Sequence, residues 1–107
     1  MRGIVNRILG EADSDLKTYL EGHAAYKHAL KRLHMGQPRQ KNTEAIILRS
    51  STWSHYYAKN VLCARWPEAE EIIASHPEAA KNYLEAFPEA MADWQALGWT
   101  KTLDRYE

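Results

Sequence analysis

Apolar residues recur every three or four positions along most of the chain, the spacing that gathers them on one face of an α-helix. The period-two alternation of strands is absent over any useful length, so no sheet is predicted. The pattern predicts an all-α fold of about six short-to-medium helices. The longest helix should run from about Asp13 to Gly36, with an apolar face formed by Leu16, Tyr19, His23, Tyr26, Leu30 and Leu33.

Glycine and proline mark the helix boundaries. A first helix is predicted over about residues 3–10, and Gly36 suits the C-terminal end of the long helix. The polar, basic stretch 37–42 should form a loop. A last helix is expected to begin at Pro88 and end at Gly98, and its buried residues should be Met91 and Trp94.

Residues 44–61 match residues 70–87 when the sequence is shifted by 26 positions. Each copy consists of a short helix, a polar break and a longer helix, so the C-terminal part is predicted to be an irregular helical repeat array. The matched pairs are Glu44 with Glu70, Ile46 with Ile72, Ile47 with Ile73, Tyr57 with Tyr83, and Val61 with Phe87. The core should then contain Trp53, Tyr57, Val61, Ile73, Tyr83 and Phe87.

The polar breaks inside the two copies should cap the helices that follow them. Hydroxyl side chains at residues 50–52 are suited to capping in the first copy. In the second copy, Ser75 precedes Pro77 and stands three positions before Glu78, the spacing of a capping box. Ser75 is therefore predicted to accept a hydrogen bond from the backbone amide of Glu78.

The segment 56–70 resembles a helical repeat found in bacteriophage and bacterial proteins of unknown function. In those proteins a Tyr-Ala pair, a Val-Leu or Val-Ile pair and the string Arg-Trp-Pro-Glu-Ala-Glu recur, and Arg65–Glu70 is that string here. The resemblance covers about residues 44–87, and the second copy lacks the Arg-Trp pair, as a terminal repeat would. It implies helical architecture and a phage or prophage origin, and it carries no activity or site residue with it.

Length and composition indicate one globular domain over residues 1–107, with N-terminal helices in 1–36 and the helical repeat region in 43–107. The net charge of zero hides a strong separation. Residues 1–65 carry eleven Lys or Arg and five Asp or Glu, whereas residues 66–107 carry three and nine. Unless the fold interleaves the two parts, the molecule presents one basic and one acidic region.

Cys63 is the single cysteine, which fits a reducing compartment, and its place beside Leu62 predicts a small buried hydrophobe on a helix. The N-terminus turns polar too early for a signal peptide, and no apolar run approaches the length of a membrane span. We therefore expect a cytoplasmic protein of a bacterial or phage-infected host cell, without membrane contact.

No pattern of residues indicates catalysis. The histidines lack the spacing of three or four that places two metal ligands on one helix face. The carboxylates Glu68, Glu70 and Glu71 are expected to face water in the first turn of a helix. We therefore predict no catalytic residue, no metal and no cofactor, and a protein that is not an enzyme.

Two surfaces are candidates for binding. The basic one consists of Lys27, Lys31, Arg32, Arg39, Lys41 and Arg49. Phosphates could bind this charge and bases could stack on Tyr19 or Tyr26, so a nucleic-acid-binding module over residues 27–49 is the alternative function. The second surface is acidic and aromatic and consists of Trp66, Glu68 and Glu71.

The leading expectation is a non-enzymatic macromolecular interaction protein, encoded by a phage, that modulates a host or phage factor. A protein is the expected partner, because Trp and Tyr are abundant in this chain and predominate in interface hot spots. The charge separation adds a second hypothesis, a homodimer that joins the basic part of one copy to the acidic part of another.

Overall fold

The computed structural model describes residues 16–100 and Leu103, and within them it contains helices and no strand, which confirms the all-α prediction. The first predicted helix, over residues 3–10, lies outside the described residues. The elements in chain order are α1 (Leu16–His34), α2 (Lys41–Ile47), α3 (Ser51–Tyr57), a π-helix (Ala58–Leu62) that continues α3, α4 (Pro67–Ala74), α5 (Pro77–Ala86) and α6 (Ala90–Leu97).

The buried face of α1 is not the predicted apolar stripe. Its buried residues are Gly22, Ala25 and Ala29, whereas Leu16 and Leu33 at the two ends of the stripe are 53% and 43% exposed. Small residues bring the backbone of α1 close to α2 and α3, which explains why this face is the one that packs. The larger residues of the stripe lie to the side of the contact or in solvent.

Helix α1 ends in a Schellman motif. Gly36 has a positive φ of 72°. The backbone amide of Gln37 donates to the carbonyl of Arg32 at 2.8 Å, and the backbone amide of Gly36 donates to the carbonyl of Leu33 at 3.0 Å. These bonds satisfy carbonyls that the helix end would leave unpaired. Gly36 therefore ends the long helix, as predicted, and sets the direction of the loop that follows.

The capping prediction is confirmed for the polar break at residues 50–52 and is wrong for Ser75. Ser50 is the N-cap of α3, and its hydroxyl accepts a hydrogen bond from the amide of Trp53 at 3.1 Å. The prediction for Ser75 is wrong, because Ser75 is the C-cap of α4 and its hydroxyl donates to the carbonyl of Ile72 at 2.7 Å. Helix α5 begins one residue later than expected, with His76 at its N-cap and no side-chain cap.

The core confirms most of the residues predicted from the repeat. Tyr57, Ile73, Tyr83 and Phe87 are buried, whereas Trp53 and Val61 are only half-buried. In the last helix Trp94 is fully buried, but Met91 is 36% exposed and was wrongly predicted to be buried. The largest fully buried side chains are the aromatic rings of Trp66, Trp94, Tyr57 and Tyr83, which join α3, α4, α5 and α6.

The π-helix ends at Cys63, which adopts the left-handed conformation with φ 52° and ψ 36°. The prediction that Cys63 is buried within a helix is wrong, because its side chain is exposed and its backbone reverses the direction of the chain. Positive φ is uncommon for a residue with a Cβ. The chain thus leaves α3 through a widened turn and an irregular residue, and then enters α4.

The basic and acidic parts of the chain both pack on α3. Helix α1 packs on α2, α3 and the π-helix, whereas α4 packs on α3 and α5. Residues 16–65 carry nine Lys or Arg and two Glu, and residues 66–100 carry one Lys and seven acidic residues. The two parts nevertheless meet where Lys41 and Glu68 line one depression and where Arg65 pairs with Glu70 and Asp93, so the fold interleaves opposite charges at these points.

None of the helices between Leu16 and Leu97 combines the length and the apolar character that crossing a membrane requires.

Candidate binding surface

The six residues predicted as a basic surface do not form one patch. Arg49 is near Glu21, with 3.8 Å between the guanidinium and the carboxylate, and Lys41 lines a shallow depression beside Glu68. Lys27 and Lys31 share another groove, and the remaining two residues, Arg32 and Arg39, line a deeper cleft. The structure thus divides the predicted surface into two useful parts.

The first part is the exposed side of the C-terminal half of α1, which we call the α1 groove. It has a volume of about 330 Å³ and is lined by Lys27, Leu30, Lys31, His34 and Met35. Met35 is 60% exposed although it is one of the most apolar side chains on the surface. Basic side chains and exposed aliphatic side chains therefore lie side by side on this face.

The second part is a cleft of about 350 Å³ between α1, the loop after it and the end of the π-helix, which we call the arginine cleft. Its cationic residues are Arg32, Arg39 and Arg65, and the last of these was not among the predicted site residues. Apolar walls face these guanidinium groups, and they are formed by Ala29, Leu33, Val61, Leu62 and Ala64.

The loop that borders the arginine cleft is fastened to α1 by side chains. Arg32 donates from Nη2 and Nε to the carbonyl of Pro38, at 2.9 and 3.3 Å. The imidazole Nε2 of His28 and the amide oxygen of Gln40 are 3.1 Å apart. These contacts hold the loop in place against α1.

Arg39 is held by a carboxylate behind the cleft. Its Nε and Nη2 donate to the two oxygens of Glu44 at 2.5 and 3.1 Å, and the Tyr57 hydroxyl donates to the same carboxylate. Burial alone would raise the pKa of Glu44, but the hydrogen bonds from Arg39 and Tyr57 outweigh it and lower that pKa. Burial and the bond to Glu44 raise the pKa of the Tyr57 hydroxyl.

Arg65 is held in the same way by Glu70, which is only 5% exposed. Arg65 donates from Nε and Nη2 at 2.8 and 2.9 Å, Tyr83 donates its hydroxyl at 2.6 Å and Trp94 donates its indole N–H at 3.1 Å. Burial alone would raise the pKa of Glu70, but these three donors outweigh it and lower that pKa to about 2. The expectation that Glu70 faces water is therefore wrong.

The contacts of the two carboxylates correspond at a separation of 26 residues. Arg39, Glu44 and Tyr57 make the same bonds to one another as the set Arg65, Glu70 and Tyr83. The matched ranges 44–61 and 70–87 include the Glu and the Tyr of each set. They exclude the arginine, which precedes the Glu by five positions in both sets. The repeat array itself stays a prediction, because α3 continues as a π-helix whereas α5 ends at Ala86.

The acidic and aromatic surface needs one correction. Glu68 and Glu71 are exposed as predicted, but Trp66 is only 2% exposed and packs on the ring of Tyr57, with 4.7 Å between the ring centroids. The backbone amide of Trp66, which lies just before α4, donates to the Tyr83 hydroxyl at 2.8 Å. This bond turns the indole of Trp66 inward and so accounts for its burial. It is therefore part of the core and not of a binding surface.

The tyrosines that were expected to stack on nucleic-acid bases pack on Trp53 instead. The centroids of Tyr19 and Tyr26 are 5.4 and 5.3 Å from that of Trp53, and His23 stacks on the same indole at 4.5 Å. Asn60 also donates to the Tyr26 hydroxyl at 3.0 Å. These rings join α1 to α3, which is a structural role.

Among residues 16–100 and Leu103, no three His, Cys, Asp or Glu side chains are grouped as a metal site would require. The chain matches no protein-family model, no curated protein and no solved structure.

Proposed function

We propose that this chain is a non-enzymatic interaction protein that binds an acidic protein surface through the α1 groove. The observation that carries the proposal is the mixture of groups there, since Lys27 and Lys31 line the same groove as the exposed apolar side chain of Met35. The residues that line the groove include these two lysines and His34 but no Asp or Glu. Such a face attracts an acidic partner by charge and retains it through apolar contact.

The exposed apolar residues favour a protein over a nucleic acid. Phosphate binding needs clustered cations, and stacking on bases needs free aromatic rings. The side chains beside Lys27 and Lys31 are aliphatic, and the rings of Tyr19 and Tyr26 already pack on Trp53. Aliphatic side chains beside lysine are better matched by apolar and acidic residues of another protein.

The resemblance in segment 56–70 implies a phage or prophage origin, which supports a partner in a bacterial cell. A phage protein without a catalytic task acts by binding, so we propose that the partner is a host or phage factor whose activity changes when the α1 groove is occupied. This part of the proposal predicts that the partner is present in a bacterial cell.

The test compares capture by the parent protein with capture by two charge variants. In the first, Lys27→Glu and Lys31→Glu reverse the charge of the α1 groove. In the control, Lys59→Glu and Lys81→Glu change the net charge equally at two exposed sites outside the groove. Each immobilised protein is incubated with a bacterial lysate, bound proteins are identified by mass spectrometry, and a captured protein is purified for titration.

The expected result is an acidic protein that the parent and the control bind and that the groove variant binds at least about tenfold more weakly. A glutamate in the last turn of α1 should lower the free energy of unfolding by only about 0.5 kcal/mol, so the groove variant is expected to fold. Circular dichroism checks this.

Two other results would contradict the proposal. Retention of the parent on heparin or DNA that falls with salt and vanishes in the groove variant would establish the nucleic-acid-binding alternative. Light scattering that shows a doubled mass at low salt, reverting to monomer as salt screens the charges, would identify a second copy of this chain as the partner.

A further inference from the structure

We infer that the arginine cleft binds a carboxylate attached to an apolar group, such as an acidic side chain next to an aliphatic one in a partner protein. This inference rests on the proposed function and adds to it a second site, with a defined chemistry, on the opposite face of α1.

Arg32 supplies the charge. Arg39 and Arg65 are neutralised by Glu44 and Glu70, but the hydrogen bonds of Arg32 go to the carbonyl of Pro38, which carries no charge. Within the described residues, no salt bridge pairs Arg32 with a carboxylate. Its guanidinium keeps N–H donors that are free to form a bidentate bond with a carboxylate.

The walls determine what else the ligand carries. Leu33, Val61 and Leu62 line the cleft together with the three arginines. A cavity of about 350 Å³ has the size of a small-molecule or side-chain pocket, and its lining mixes these apolar side chains with the polar side chains of Gln37, Gln40 and Thr43. An aliphatic group bonded to the carboxylate would bury apolar surface against these side chains. An inorganic ion has no apolar surface to bury there.

Hydrogen bonds hold the three arginines of the cleft, and the backbone that ends at its floor is irregular. The π-helix and the left-handed Cys63 turn Leu62 and Arg65 towards α1. π-helical turns and positive φ angles cost conformational energy and concentrate at functional sites. Each guanidinium is already fixed by a protein acceptor, so ligand binding needs little further ordering.

The test is a titration of the full chain, labelled with ¹⁵N, with sodium hexanoate, which offers a carboxylate and an alkyl tail. We expect saturable chemical-shift changes at the amides of Leu33, Gln40, Leu62 and Arg65, with a Kd of about 1–10 mM for so small a ligand. Hexanamide, which lacks the charge, and inorganic phosphate, which lacks the tail, should each bind at least about fivefold more weakly.

Two variants make the assignment specific. Arg32→Gln should raise the Kd for hexanoate about tenfold, because it removes the unpaired cation and keeps an amide that can donate to Pro38. Arg49→Gln, the control, removes an exposed arginine near Glu21 and should leave the Kd unchanged.

The inference is overturned if hexanoate produces no saturable shifts, if hexanamide binds equally well, or if Arg32→Gln has no effect. Tighter binding of phosphate than of hexanoate would also overturn it and would point to a phosphorylated ligand. The proposed function fails separately, because it depends on Lys27 and Lys31, which do not line this cleft. A groove variant that binds hexanoate normally but captures no less partner than the parent would overturn the proposed function alone.

Discussion

Gly22 of α1 lies so close to Trp53 of α3 that a Cβ atom built on Gly22 would be 2.9 Å from Cδ1 of the indole. Ser50 Cβ would be the next neighbour, at 3.2 Å. The contact explains why a helix that exposes several large apolar residues is nevertheless held firmly to the rest of the molecule. Glycine at this position permits the close approach of two helices.

Gly22→Ala should therefore destabilise the protein by about 1–2 kcal/mol, because overpacking against Trp53 outweighs the better helix propensity of alanine. Urea unfolding measures the change. In a Trp53→Leu background the same substitution should be neutral or stabilising, since the indole that it would meet is gone. A stabilising effect of Gly22→Ala in the parent would contradict the close contact.

Glu70→Gln should lower the free energy of unfolding at pH 7 by about 2–3 kcal/mol, because Arg65 loses its buried charged partner. Since Glu70 has a pKa of about 2 in the folded chain and an ordinary value of 4.5, its contribution is complete above pH 4.5 and is lost as the pH falls towards 2. The difference between parent and variant should therefore shrink across that interval.

The measurement is urea unfolding of both proteins at several pH values between 7 and the acid limit. Glu68→Gln is the control, because Glu68 is exposed two positions away in the same helix turn, and it should behave as the parent does. A difference between parent and Glu70→Gln that stays constant from neutral to acid pH would show that the carboxylate titrates normally.

Tyr83→Phe should cost more stability than Tyr57→Phe. The Tyr83 hydroxyl donates to Glu70 and accepts from the amide of Trp66, so its loss leaves two buried groups short of a partner. We expect about 2–3 kcal/mol for Tyr83→Phe and about 1–2 kcal/mol for Tyr57→Phe, whose hydroxyl bonds to the partly buried Glu44. Thermal unfolding of the two variants gives the order directly, and the reverse order would contradict the hydrogen-bond assignment.

Ser50→Ala and Ser75→Ala form a matched pair. The first removes the N-cap of α3 at a fully buried position and should cost about 1–2 kcal/mol. The second removes an exposed hydroxyl that bonds within its own helix, and its effect should stay within about 0.5 kcal/mol. Equal losses of stability in the two variants would mean that the hydroxyl of Ser50 is not a cap.

The sequence predicted the fold class and the aromatic core because these depend on local spacing. Tyr57 and Tyr83 were found by the 26-residue match, and both are buried. The buried face of α1 was missed because Gly22 and Ala25 are weakly hydrophobic, so their burial reflects close backbone approach and not hydropathy.

The arginine cleft and the buried carboxylates could not be predicted in the same way. Arg32 and Arg65 lie far apart in the chain and meet only because the π-helix and the loop after α1 converge. Glu70 has the sequence context of a solvated first-turn glutamate, and its burial depends on donors from three other segments. Periodicity describes a single helix, whereas these sites depend on how helices are placed relative to one another.

The π-helix after α3 has a consequence for how this chain tolerates changes in length. A π-helical turn holds one residue more than an α-helical turn, so deleting one residue between Ala58 and Leu62 would restore the α-helical hydrogen-bond pattern. Because the extra residue is absorbed within one widened turn, the residues on either side of it would keep nearly the same orientation around the helix axis. The π-helical turn is therefore the place in this helix where the loss of one residue should disturb the packing of the flanking segments least.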